Sequence, residues 1–246
     1  MADNRSFIPS PTSITDTELQ ACNTILRPMS AQQRVNWAMT NLPGEFALTS
    51  SFGIQSAVML HMMTQIKADI PVVLTDTGYL FAETYRFIDQ MTERLQLNLH
   101  VCRAKLSPAW QRARYGQQWS QDKQALAQYN LANKVEPLQD GLDKLSVHTW
   151  FSGIRSSQSD HRQTLLPLQV LRGRFKVHPI LEWTNRDVHQ YLKAHDLPYH
   201  PLWDKGYVSV GDVHSSKPLS HGLSEQDTRF NGMQRECGLH TDGDGI

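Results

Sequence analysis

Three groups of residues in this chain have types and spacings that suit chemistry. The first is the run Thr49-Ser50-Ser51-Phe52-Gly53-Ile54-Gln55-Ser56. Hydroxyls at 49, 50, 51 and 56 can donate to phosphate-type oxygens, and Gly53 lets the backbone approach closely. If a helix follows, its N-terminus adds orphan N–H groups and a favourable dipole, so the segment reads as an anion loop. It has no G-K-[ST] and is not a Walker A loop; an ordinary serine-rich helix cap is the plainer alternative. The second group is Leu74-Thr75-Asp76-Thr77-Gly78, where Asp76 could orient a ribose or a nucleobase, although Asp-Thr-Gly alone is a common turn. The third group is cationic. Arg155 is followed by Arg162, and Arg229 and Arg235 flank Asn231-Gly232 just before Cys237. Arginine forks hold phosphate or sulfate oxygens bidentately, whereas most other arginines of the chain read as solvated surface. Cys237 lies in a polar, Gly-flanked tail with no packing role; Arg235 and His240 can stabilise its thiolate, while Glu236 opposes it. Cys22, on an apolar helix face, and Cys102, in a strand, read as buried and inert.

These groups need a scaffold, and the chain supplies a repeating one. Residues 1–30 form an arm leading to a helix over Asp16–Ile25, with Thr15 or Asp16 as its cap. A second helix, Ala31–Thr40, stops at Leu42-Pro43-Gly44. Phe46–Thr49 then reads as a buried strand, Ile54–Ile66 as a helix, Pro71–Thr75 as a strand and Phe81–Leu95 as a helix; Leu97, Leu99 and Val101 alternate as a third strand. The polar, Gln-rich stretch from Ser107 to Ser146, with Trp110, Tyr115, Trp119 and Tyr129, reads as helices and loops. Thr149–Ile154 and Phe175–Leu181 are further strands, and Thr184 caps a helix through Lys193 with Val188, Tyr191 and Leu192 on one face. Strands alternating with helices imply an α/β fold: an open, mostly parallel, twisted sheet with helices on both faces. Beyond Pro198 the chain is rich in Pro, Gly, Ser and His, and a mobile C-terminal tail is expected.

Composition narrows the classes. The 246 residues suit one α/β domain with an appendage, and 39% hydrophobic residues suffice for a sizeable core. Twenty-four basic against 24 acidic residues remove the usual footprint of a nucleic-acid binder, leaving room only for a local basic pocket. Aliphatic stretches such as Val72-Val73-Leu74 are too short for a membrane span, and Met1–Asp16 shows no apolar signal region, so a soluble, cytoplasmic protein is expected. Three widely spaced cysteines argue against a disulfide framework or a thiolate zinc site, and they cannot supply four thiolates to a cluster. Eleven histidines without an H-E-x-x-H leave metal-free chemistry as the expectation.

Taken together, Ser50–Gln55, Leu74–Tyr79, Lys134-Val135-Glu136-Pro137-Leu138, Trp150–Arg155 and Arg235–His240 resemble, in order, the adenylyl-sulfate/phosphoadenylyl-sulfate (PAPS) reductase family, most closely its thioredoxin-dependent PAPS reductases. That resemblance implies an adenine-nucleotide α-hydrolase-like fold with a modified pyrophosphatase-type (PP) loop. It divides the chain into a nucleotide-binding domain, 1–225, and a mobile catalytic tail, 226–246. It implies Cys237 as nucleophile. The substrate-binding set it implies is Ser50, Ser51, Phe52, Gly53, Gln55, Ser56, Asp76, Thr77, Gly78, Lys134, Gly153, Arg155, Tyr207, Arg229, Arg235 and His240. Tyr207 enters through Lys205–Asp212, which also matches a family motif. One departure stands out: Ser156 occupies a place where the family often has a second basic residue.

PAPS carries about four negative charges, of which its 3′-phosphate contributes about −1.5 to −2. Its reduction to sulfite needs two electrons, more than one cysteine can give, so the resemblance implies thioredoxin as an external dithiol, with glutaredoxin an unranked alternative. Adenylyl-sulfate reductases usually carry Cys-Cys before the segment matching Lys134–Leu138 and a C-x-x-C near the terminus for an iron–sulfur cluster. Ala132-Asn133 stand here instead, and no cysteine follows Cys237. No cofactor and no iron are therefore expected, with PAPS as substrate, and a homodimer as in many family members. Three alternatives stay open: adenylyl sulfate as substrate, a PP-loop adenylating enzyme, and a nucleotide-binding regulator. The adenylating enzymes use a Gly-Gly loop with an Asp, where this chain has Ile54-Gln55.

Overall fold

The computed structural model describes residues 8–219 and Thr228. In chain order the elements are α1 (Asp16–Leu26), α2 (Ala31–Asn41), β1 (Glu45–Thr49), α3 (Ala57–Ile66), β2 (Pro71–Thr75), α4 (Ala82–Leu95) and β3 (Asn98–Cys102). They continue with α5 (Pro108–Tyr115), α6 (Lys123–Asn130), α7 (Glu136–Lys144), β4 (Val147–Ser152), β5 (Leu168–Leu171), β6 (Arg174–Val177) and α8 (Asn185–Ala194). Local chemistry accounts for the helix starts. Thr15, Ser30 and Thr184 each accept the N3 amide while Glu18, Gln33 and Asp187 reach back to the cap amide, three complete capping boxes.

The six strands are ordered β3-β2-β1-β4-β6-β5. All neighbours run parallel except β5 and β6. Alternation sends successive side chains to opposite faces. Leu48, Val72, Leu74 and Phe151 pack against Leu26 of α1, Val35 of α2, Val58 of α3, Phe87 of α4 and Val188 of α8. Ala47, Val73 and Trp150 face the other way, onto Leu138 and Leu142 of α7. Burial on both faces is what a parallel sheet requires, and it is why the central strands read as apolar runs. Among the described residues no helix is long and apolar enough to cross a membrane.

Three expectations are corrected. The helix after β1 begins at Ala57, not Ile54, because the N–H and Oγ of Ser56 both turn back to the Gly53 carbonyl. The expected strand Phe175–Leu181 ends at Val177; the chain turns there, with the His178 N–H on the Pro167 carbonyl and the Leu181 N–H on the His178 carbonyl. Gly153 and Ile154 likewise leave the sheet after Ser152. The sequence reading also missed β5. It is an antiparallel edge strand joined to β6 by Arg172-Gly173, which have φ of 49° and 72°, the left-handed pair of a tight hairpin turn.

Candidate functional site

The chain leaves β1 through α3 towards β2 on one side, while β4 joins β1 from the other, so the crevice beyond β1 and β4 is the point where strand order reverses. Open α/β sheets bind ligands at such a point, outside the carboxyl ends of the strands. A cavity of about 400 Å³ lies there. Its wall takes Ser50–Ser51 and Gly53–Ser56 from the loop after β1, Thr77 from the turn after β2, and Ser152–Arg155 from the end of β4. Lys134, Arg162 and residues 208–212 complete it.

Phe52 shapes the loop. Its ring is fully buried in the core while its backbone sits at φ 48°, a left-handed conformation uncommon for an aromatic residue. Its N–H is taken by Ser50 Oγ at 3.1 Å. The amides of Ser51, Gly53, Ile54 and Gln55 have no acceptor among the described residues. Four open amides before a helix, with hydroxyls beside them, form an anion cradle. Arg155 stands at its edge, 5% exposed. Its guanidinium donates to Gln55 Oε1 at 2.5 Å, Asn185 Oδ1 at 2.9 Å and the Trp183 carbonyl at 3.3 Å. Arg162 donates to Gln158 Oε1 at 2.5 Å and puts a second guanidinium on the wall.

Lys134 reaches the cavity through a local irregularity. α6 runs into α7 by way of a widened π turn, Leu131–Val135, followed by Pro137, which has no N–H to continue an α-helical ladder. Lys134 Nζ lies 2.9 Å from Asp212 Oδ2 and 5.3 Å from the centre of the Tyr129 ring. Asp212 also accepts from Thr77 Oγ1 at 2.5 Å and from the Tyr129 hydroxyl at 3.1 Å. Burial works against its charge, but the Lys134 ammonium and the hydrogen bonds from Thr77 and Lys134 prevail and hold the carboxyl down to about 2. Burial and the Asp212 charge push the Tyr129 phenol well above its ordinary value.

Of the residues singled out from sequence, Ser50, Ser51, Gly53, Gln55, Ser56, Thr77, Lys134, Gly153 and Arg155 meet on this one cavity. Phe52 supports it from the core. Asp76 organises the turn: its carboxylate receives the Gly78 N–H at 2.9 Å, the Tyr85 hydroxyl at 2.8 Å and Arg103 Nε at 2.9 Å, and it is not among the residues lining the wall. Gly78 and Tyr207 are off the wall too; Gly78 packs on Pro108, and Tyr207 lies edge-on to Phe81 with ring centres 5.5 Å apart. Arg229, Arg235, Cys237 and His240 lie outside the described residues. Sequence reasoning missed Asp212 as a site residue. Its signal was an acidic residue closing the otherwise uncharged run Gly206–Gly211. Among the described residues no group of three or more His, Cys, Asp or Glu is placed to hold a metal.

Fold and cavity define an α/β protein with a cation-lined cavity at the switch point of its sheet. The phosphoadenosine phosphosulfate reductase domain matches residues 45–218, from the start of β1 to beyond Asp212, the last residue of the cavity wall. The chain is 58% identical to a phosphoadenosine 5′-phosphosulfate reductase of Shewanella oneidensis over 236 residues, 96% of each protein. A crystal structure of the phosphoadenylyl-sulfate (PAPS) reductase from Candida auris, in a phosphate complex, superposes with TM-score 0.73 at 28% identity, covering 83% of this chain and 98% of that one. The FMN adenylyltransferase of Candida glabrata shares the fold alone, with TM-score 0.55 at 16% identity, covering 85% of this chain and 70% of that one. This chain belongs to the phosphoadenosine phosphosulfate reductase family, and it is an oxidoreductase of that type.

Proposed function

We propose that the protein reduces PAPS to sulfite and adenosine 3′,5′-bisphosphate, with Cys237 as nucleophile and a dithiol protein of the thioredoxin type as reductant. The observation that carries this reading is the convergence of four open loop amides with Lys134, Arg155 and Arg162 on one cavity. A neutral chain gathers its cations there, where a polyanionic nucleotide would sit. The Cys237 thiolate attacks the sulfonate sulfur, the S–O bond to the nucleotide breaks, and adenosine 3′,5′-bisphosphate leaves with its charge held by the loop and the cations. A thiolate of the dithiol then attacks the Cys237 sulfur and expels sulfite, and the second thiol resolves the mixed disulfide. The two electrons come from the dithiol, and Cys237 returns as a thiol. Arg229 and Arg235, close to Cys237 in the sequence, supply further cations to the bound nucleotide. Three cysteines in the chain leave no ligand set for a four-thiolate cluster, which supports PAPS chemistry without iron.

The test is a mass measurement. Reduced protein is mixed with PAPS in the absence of any thiol donor and mapped by peptide. One SO3 group is expected on the Cys237 peptide, lost as sulfite when reduced thioredoxin is added and absent in Cys237→Ser. An unlabelled Cys237 in protein that still binds the nucleotide sinks the nucleophile assignment. The same label from adenylyl sulfate alone would move the substrate to the non-phosphorylated nucleotide.

A further inference from the structure

The wall of a site for a polyanion holds a buried carboxylate. Asp212 is 1% exposed, keeps its charge, and stands 2.9 Å from Lys134, one of the site's own cations. For affinity alone this is the wrong charge in the wrong place. It repels an incoming anion and offsets the lysine that would attract it. A buried ion pair is also a weak device for stability, since an apolar pair of similar volume often serves as well. What the carboxylate does supply is geometry. Its two oxygens take Thr77 Oγ1, the Tyr129 hydroxyl and Lys134 Nζ, donors from the turn after β2, from α6 and from the π turn. The same residue bridges to Leu80, and the next amide, of Val213, bonds the Tyr79 carbonyl at 2.8 Å.

Building on the reaction proposed above, we infer that Asp212 is a positioning residue: it fixes the Lys134 ammonium and the Thr77 hydroxyl on the cavity wall so that they meet the charge developing on the departing nucleotide. A lysine stem is long and flexible, and its head is a mobile point charge unless something holds it. A donor fixed in advance stabilises a transition state without reorganising, which is worth more to the rate than to ground-state binding. Asp212 therefore lowers affinity and raises the rate.

That sign gives a test that structural damage would not imitate. Full-length reduced wild type, Asp212→Asn, Lys134→Met and the double variant are mixed with PAPS without a thiol donor. S-sulfonate formation is followed by rapid-quench mass measurement, and binding of adenosine 3′,5′-bisphosphate by calorimetry. If the wild type forms no S-sulfonate, the reaction proposed above fails. With the wild type active, Asp212→Asn is expected to slow the step about ten- to a hundredfold while the nucleotide binds as tightly as before or tighter. In the Lys134→Met background the same substitution should slow it by less than about twofold, because the residue it acts through is gone. Equal slowing in both backgrounds, or nucleotide binding that weakens in step with the rate, overturns the inference. Should Asp212→Asn not fold, Tyr129→Phe replaces it in the cycle. That change removes one donor to the carboxylate at a residue that is not itself on the cavity wall. It is expected to slow the step about threefold with Lys134 present and not at all without it; equal slowing again overturns the inference.

Discussion

A methyl group at position 78 would stand 2.5 Å from Cγ of Pro108, and the backbone there has a φ of +74°. Both facts make Gly78 a structural requirement of the turn that carries Thr77 to the cavity. The pyrrolidine ring cannot swing away as a flexible side chain would, and a left-handed φ adds strain of its own. Gly78→Ala should cost about 2–3 kcal/mol in urea unfolding. Gly173→Ala is the control: its φ is +72°, but no atom lies within 4 Å of the added carbon, so only the backbone penalty of about 1–2 kcal/mol remains. Equal losses at the two positions would show that the Pro108 contact counts for nothing. This scale also marks where the sequence stops being readable. The Asp-Thr-Gly turn was visible in the chain, but the donors around Asp76 were not. They come from Tyr85 in α4 and from Arg103 beyond β3, and only the folded sheet brings them together. Asp212 was hidden for the same reason, since its donors come from the turn after β2 and from the helical run of Tyr129 and Lys134, both far from it in sequence.

Elements with a local signature were legible. The three capping boxes, the apolar runs of β1 and β2, and the helix after Thr184 all announce themselves within a few residues. The hairpin β5–β6 was not, because a four-residue edge strand and an Arg-Gly turn carry little pattern. One short element carries a pH dependence. His200 caps the turn Pro201–Lys205, its Nδ1 accepting the Leu202 N–H at 3.1 Å, which leaves the proton on Nε2, 3.0 Å from Thr84 Oγ1. The His200 amide donates to the Ile54 carbonyl at 3.1 Å, so the turn also braces the loop after β1. Burial pulls this imidazole down to about 4, with the Glu83 charge opposing. The folded pKa lies below the unfolded value of about 6.5. The unfolded chain therefore takes up the proton first, and stability present above pH ~6.5 is lost progressively as pH falls through ~4. Fully buried His178, also held well below its usual value by burial, acts with the same sign. Urea midpoints should be level from pH 8 to 7 and fall towards pH 4.5. His200→Asn, whose carbonyl can still take the Leu202 amide, should fall less steeply. An unchanged slope in the variant would remove His200 from the explanation.

The whole molecule is larger than the segment matched by the family model. α1 and α2 precede that segment, yet Leu26, Val35 and Ala38 are fully buried against the sheet. The Asn23 side-chain amide exchanges two hydrogen bonds of 2.9 Å with the backbone of Leu168, standing in for the strand that edge β5 lacks. Arg34, 3% exposed, ties α2 to Glu182 and to the Pro179 carbonyl, just ahead of α8. The N-terminal helices thus belong to the same core as the site. Charge is likewise a property of the whole. With 24 basic and 24 acidic residues the molecule has no net field to draw in a polyanion from a distance. Among the described residues, the cations placed to attract it are Lys134, Arg155 and Arg162 at the cavity itself, acting within a Debye length of about 8 Å at physiological salt. Raising ionic strength from about 0.05 to 0.5 M shortens that length about threefold, from about 14 to 4 Å. KM for PAPS should then rise by roughly three- to tenfold, with kcat changing far less because the groups in contact remain unscreened. Steady-state rates across a salt series in wild type and Lys134→Met test this, the variant being expected to respond less. A KM indifferent to salt in the wild type would mean that shape and hydrogen bonds, not charge, select this nucleotide.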